Sequence, residues 1–249
     1  MAHCYCWDET NGNRGTNEVC SNILDFAKKM AAKGVTTINF VCDGCGGQNR
    51  NTFVAALIHH LVNVTSLETV TVYFLVKGHT ENEADTVHST IERAKNDKKV
   101  YLPSEWPVVL QNTPTERFDI ITHTLNFSSF YDMKEMQKTY RNFRINEEGE
   151  TALNWFNVRV IKVRKGSSNL WFKNNYGDDV YKHVNLMQVG KGRRMEDKVY
   201  EIPKLINAYD SPIPIKRAKY DDLIDLCSGD EPVIPSRHHR FYRNIVHDE

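Results

Sequence analysis

Three acidic residues of this chain stand where an α/β protein gathers ligands. Asp43 directly follows the apolar run Thr36–Cys42, and ligands and metals collect beyond the carboxyl ends of strands in such sheets. Glu18 falls in the first turn of a helix predicted from the spacing of Val19, Ile23, Leu24, Phe26, Ala27 and Met30. Asp85 falls in the second turn of a helix that a Thr80-x-x-Glu83 capping box should open. Three carboxylates at one sheet edge would offer the oxygen ligands that Mg²⁺ or Mn²⁺ needs. A pair of such ions can activate water and stabilise the leaving oxygen of a phosphodiester. Glu18, Asp43 and Asp85 are therefore candidate catalytic and metal-ligating residues. Each also has an ordinary structural reading. A first-turn Glu complements the helix dipole, and an Asp after a strand caps the next helix.

Other polar residues cluster near these three. His79 stands just before the third helix. Offsets of three and seven put Asp85, His88 and Glu92 on one face of it, and a solvated face is the plain reading of that stripe. Gln48 and Asn49 follow Asp43 in the segment Cys-Asp-Gly-Cys-Gly-Gly-Gln-Asn and are candidate supporting residues. That segment has neither the lysine of a phosphate-binding P-loop nor the Gly-x-Gly-x-x-Gly spacing of a dinucleotide site, which argues against nucleotide binding. Six cysteines occur at positions 4, 6, 20, 42, 45 and 227. Cys4-x-Cys6 and Cys42-x-x-Cys45 could supply four thiolates to zinc. The alternation of the first pair suits a strand, so small buried side chains are the preferred reading over zinc.

The elements that must position these residues follow from periodicity. Residues 3–9 alternate around Tyr5 and Trp7 and predict a strand. Asn11–Gly15 predicts a turn, then a helix that Gly34 ends. Residues 36–42 and 70–76 predict two buried strands, with a helix over 51–62 between them and another over 80–95. This β-α-β-α-β-α order implies an α/β unit with at least two parallel strands. Prolines punctuate residues 101–150, where helical stretches are expected around 105–111 and 131–142. Residues 155–190 switch to period two and predict a small antiparallel β-meander. Short helices are expected over 220–226 and 236–246. The expected organisation is therefore residues 1–100, then a helical and loop segment over 101–150, then a meander with a C-terminal helical tail over 151–249.

Composition narrows the function classes. The 249 residues hold 32 Lys+Arg and 32 Asp+Glu, which excludes a uniformly basic nucleic-acid coat but leaves room for a local basic face. Residues 191–219 carry eight Lys+Arg against four Asp+Glu. Lys191, Arg193, Arg194, Lys216, Arg217 and Lys219 are thus candidate phosphate contacts, with a solvated loop as the alternative. Apolar residues are 40% and charged residues 26%, ordinary for a globular chain. No apolar run approaches the ~20 residues that span a bilayer, and no secretory signal opens the chain. An intracellular protein, nuclear or cytoplasmic, with no membrane partner is expected.

Two resemblances sharpen these expectations. Lys77-Gly78-His79 followed by Glu81-Asn82 and Asp85 resembles the last strand-to-helix segment of ribonuclease H. Thr16-Asn17-Glu18 resembles the start of that family's first helix, and Asp43 matches a carboxylate after a strand. The resemblance implies Glu18, Asp43 and Asp85 as metal ligands and His79 as the loop histidine that aids product release. The chain also resembles a family of transposon-derived animal proteins, abundant in arthropods, with a ribonuclease-H-like, transposase-type domain. Trp7-Asp8-Glu9, Arg14-Gly15-Thr16-Asn17-Glu18, Asp43–Asn51, Gly78-His79-Thr80, Asp85, Ile91-Glu92 and, near the C-terminus, Lys219–Leu223, Ile234-Pro235 and Phe241-Tyr242 carry that likeness.

The implied fold is a partial ribonuclease-H-like mixed sheet with helices, a small antiparallel meander and C-terminal helices. The strand expected to carry the metal-bridging Asp precedes the first strand here, and Asp8 ends a different strand. The expectation is therefore a transposase-derived domain that is catalytically silent as it stands. It would bind DNA or RNA and have an open sheet edge suited to self-association. The alternatives are a Mg²⁺-dependent nuclease or strand-transferase core in a longer protein, and a zinc-stabilised interaction module.

Overall fold

A computed structural model describes residues 1–76, 78, 82–96, 98–140, 143, 153–187 and 200–248. It is a mixed α/β structure whose chain divides into two compact units, each assembled from separated segments. Among the described residues no helix is long and apolar enough to cross a membrane.

One unit comprises Arg14–Thr80 and Tyr131–Ile206. Its first helix, α1 (Thr16–Ala32), buries Cys20, Leu24 and Ala27 at helical spacing. The helix stops where Gly34 takes φ 87°, a conformation that favours glycine. Strand β2 (Thr37–Cys42) follows, then α2 (Thr52–Val64), then β3 (Thr69–Phe74). The strands β2 and β3 pair in parallel with Ile38 opposite Val70, as the β-α-β pattern implies. Helix α2 is buried almost all round from Val54 to Val62, because the sheet lies against one side of it and α1 and α5 (Met133–Gln137) against others.

The period-two segment forms β5 (Val160–Arg164), β6 (Asn169–Lys173) and β7 (Lys182–Asn185). It is antiparallel, as expected, but it is not a separate layer. Strand β5 pairs antiparallel with β3, so the sheet has five strands in the order β2-β3-β5-β6-β7. The physical reason is parity. Ile161 and Val163 stand opposite Val72 and Val70 in the register, and all four are buried in the core that α1 and α2 share. Phe172, Leu170 and Val184 continue the same face outward.

The other unit comprises Met1–Asn13, Glu81–Phe130 and Asn207–Glu249. Strand β1 (Ala2–Cys6) is shorter than the segment 3–9 expected from alternation. It pairs in parallel with β4 (Ile120–Thr124), a strand inside the region expected to be helical or loop. Helix α3 (Glu83–Lys95) buries none of its residues, and α4 (Trp106–Gln111) packs on β4. Helices α6 (Arg217–Asp225) and α7 (His239–Arg243) end the chain around Cys227, Ile234 and Tyr242.

Candidate functional site

The Asp43–Asn51 segment leaves β2 and folds onto itself. The amides of Gln48, Asn49 and Arg50 all donate to the Cys45 carbonyl, at 3.2, 2.8 and 3.0 Å. Asp43 Oδ1 accepts from the Asn49 side chain at 2.5 Å and from the Cys45 amide at 3.3 Å. Asn51 then caps α2, its Oδ1 accepting from the amides of Phe53 and Val54 at 3.0 and 3.1 Å. The loop is also tied to the start of α1. Gln48 Nε2 donates to the Arg14 carbonyl at 2.9 Å, and Thr16 Oγ1 donates to the Gly47 carbonyl at 2.7 Å. The two motifs Arg14–Glu18 and Asp43–Asn51 are thus one hydrogen-bonded knot. Gln48 and Asn49 act within it as fasteners.

Glu18 is buried in the first turn of α1, and its Oε2 accepts the Gly15 amide at 2.9 Å. Asp85 lies in the other unit, in the first rather than the second turn of α3, because the helix opens at Glu83 with Asn82 as its cap. The Asn82 amide donates to Asp85 Oδ2 at 2.8 Å while Asn82 Oδ1 accepts from Ala84 at 2.8 Å. This reciprocal pair is a capping box two residues beyond the expected Thr80–Glu83 one. Thr80 and His79 lie outside the described residues. All three candidate carboxylates therefore accept N–H groups of their own turns. His88 and Glu92 are exposed on α3, and Glu92 pairs with Lys95 at 2.9 Å.

Among the described residues no group of three His, Cys, Asp or Glu side chains stands together as a metal site. Of the carboxylates expected to hold Mg²⁺ or Mn²⁺, Glu18 and Asp43 belong to one unit and Asp85 to the other. The cysteine pairs divide likewise, Cys4 and Cys6 in one unit and Cys42 and Cys45 in the other. The Cys42 thiol donates to the Tyr73 carbonyl at 3.8 Å, and burial together with Asp43 pushes it up to about 12. Burial raises Cys4 and Cys6 as well.

Of the basic candidates, Lys191, Arg193 and Arg194 lie outside the described residues. Lys216 stands at the cap of α6, Arg217 pairs with Asp221 at 2.9 Å, and Lys219 reaches Glu9 at 2.7 Å. The last pair lies beside an open cleft of about 380 Å³ within its unit. Trp7, Tyr101, Trp106, Phe241 and Tyr242 line the cleft with several aliphatic side chains. Asp8 and the Glu9–Lys219 pair are the charged groups of its lining.

Sequence reading missed a second basic group, on the sheet of the other unit. Lys162 and Arg164 on β5 and Trp171 and Lys173 on β6 occupy the alternate positions that point away from the core. Lys173 Nζ stands 4.6 Å and Lys162 Nζ 5.6 Å from the Tyr181 ring centroid, and the Arg164 guanidinium lies 5.4 Å from the Trp171 ring. Burial and the neighbouring Arg164 and Lys173 hold the Lys162 amine below its ordinary value. The signal was present: both strand sequences alternate apolar with basic or aromatic residues.

These observations define a mixed α/β protein whose candidate carboxylates accept N–H groups nearby in the chain and whose five-stranded sheet carries three cations on one face. Residues 2–165 match the family model described as a domain of unknown function, DUF7869, and the chain belongs to that family. Comparison with curated proteins and with solved structures gives no match.

Proposed function

We propose that this chain is a non-catalytic nucleic-acid-binding domain of ribonuclease-H-like, transposase-derived descent, acting in the nucleus or cytoplasm on DNA or RNA. The observation that carries the reading is that all three carboxylates accept N–H groups nearby in the chain: Asp85 from the Asn82 amide, Glu18 from the Gly15 amide and Asp43 from the Asn49 side chain. A carboxylate committed to backbone and amide donors of its own turn is explained by folding alone. The basic and aromatic side chains supply the complementary half of the reading, since phosphate neutralisation by Lys and Arg provides most non-specific affinity. Strand β2 ends the five-stranded sheet. Among the described residues its outer edge is unpaired, and there a second copy would add, giving a dimer in size-exclusion chromatography.

The test incubates the purified chain with single-stranded DNA, duplex DNA and RNA–DNA hybrid, with Mg²⁺ or Mn²⁺. Binding without cleavage is the expected result. Divalent-dependent cleavage abolished by both Asp43→Asn and Asp85→Asn would overturn the reading in favour of a metal-dependent nuclease.

A further inference from the structure

We propose that the outer face of the five-stranded sheet binds single-stranded nucleic acid, with bases stacked on Trp171 and Tyr181 and phosphates met by Lys162, Arg164 and Lys173. The inference rests on the nucleic-acid-binding reading above and names its surface and the strandedness of its ligand.

The alternation of β5 and β6 sends Ile161, Val163, Leu170 and Phe172 into the core. It sends the three cations and Trp171 to the opposite face, where each keeps part of its surface in solvent. The register sets Lys162 opposite Trp171, and Tyr73 opposite Val160 on the next strand. None of the outward strand positions from β2 to β7 is acidic. The Asp178 carboxylate feels Lys173 but accepts the amides of Asn174 and Asn175 at 3.1 and 2.9 Å. Three like charges are thus drawn around two rings, and no strand position on that face supplies an anion.

Such a face is complementary to a polyanion that also carries flat, polarisable surfaces. Unpaired bases provide these, because every base has a π-face once it leaves the duplex. A duplex hides its base faces in the stack, and an acidic peptide has none to offer. Cation–π contacts in the free protein hold the lysines over the ring, from which they can turn to a phosphate as a base takes their place.

The experiment titrates the full chain against fluorescein-labelled 20-nucleotide dT and U oligomers, by anisotropy, over a range of KCl concentrations. The parent should bind single strands in preference to the same-length duplex. Trp171→Leu should weaken binding about tenfold with the salt slope unchanged. K162Q/R164Q/K173Q should lower the slope of log affinity against log salt by about 2, as three single-strand phosphate contacts require. K162R/K173R should retain the slope. Melting curves show that each variant is folded, and Tyr181→Leu substitutes for Trp171→Leu should the latter fail to fold. Absence of binding by the parent would overturn the functional reading and this inference together. Parent binding left intact by the Trp171 and triple variants would overturn this inference alone. Equal affinity for duplex, or binding to phosphatidylserine vesicles without oligonucleotide binding, would also overturn it.

Discussion

The Gly15 amide donates to the Glu18 carboxylate at 2.9 Å across the opening turn of α1. Gly15 has no side chain to cap with, so the glutamate closes the turn by reaching back. Because Glu18 is buried, its loss removes a hydrogen bond and leaves a polar amide unsatisfied. Glu18→Ala should cost about 1–3 kcal/mol. Glu18→Gln, which keeps an acceptor, should cost less. Urea unfolding with and without EDTA checks this. A loss of stability on EDTA addition that Glu18→Ala abolishes would instead make Glu18 a metal ligand.

Asn51 holds two amides of α2 with one oxygen and the Gly46 carbonyl with its nitrogen. Asn51→Ala should destabilise by about 1–2 kcal/mol. Asn51→Asp, which keeps the acceptor, should sit between it and the parent in thermal melts. Equal melting temperatures for all three proteins would remove the cap from the account.

A Cβ placed on Gly12 would lie 2.6 Å from the Phe130 ring. That ring is fully buried, and Trp7 and Tyr209 pack edge-on against it at centroid distances of 5.5 and 6.3 Å. The ring has nowhere to go, so Gly12→Ala should cost about 1–3 kcal/mol through overpacking. Adding Phe130→Leu should recover part of the loss. A Gly12→Ala protein as stable as the parent would show that the loop, not the ring, sets this approach.

His59 and His60 are buried side by side in α2 and lowered to about 4, chiefly by desolvation, with Lys28 adding to the effect at His60. Both are neutral in the folded protein, while the unfolded chain takes up their protons as pH falls below the ordinary histidine value of about 6.5. Their contribution is therefore intact above that value and lost progressively between 6.5 and 4, by up to about 3 kcal/mol for each residue. The slope of unfolding free energy against pH should be shallower in His60→Gln than in the parent over that window. Superimposable slopes would refute the buried neutral state of His60.

The parts of this fold that were legible in the sequence are those fixed by neighbours along the chain. Helices α1 and α2 and strands β2 and β3 appear because their apolar residues repeat at the spacing of one face. Strand β4 was not legible, since Ile120–Thr124 has only two apolar residues and its partner β1 is far away in sequence. The pairing of β5 with β3 was equally hidden, because turn chemistry announces the β5–β6–β7 hairpins but not the strand they join. The box at α3 was misplaced because Thr80–Glu83 and Asn82–Asp85 overlap, and the pattern alone favours the first. At the candidate site, the carboxylates were found by their positions, but their use as turn fasteners depends on hydrogen bonds that spacing does not rank. The cations of the sheet face were visible singly, and only strand pairing brings them together.

The interleaving of segments has a consequence for how the protein is made. Val72 on β3 awaits Ile161 on β5 as its partner, and β6 and β7 follow later still. A ribosome adding about 5–20 residues per second leaves the apolar face of β2 and β3 half-covered for several seconds, while the segment belonging to the other unit emerges. Neither unit closes as an uninterrupted stretch of nascent chain. A fragment cut at residue 165, where the family match ends, would carry β5 without the β6 that shields its far edge. Such a fragment should be prone to aggregation.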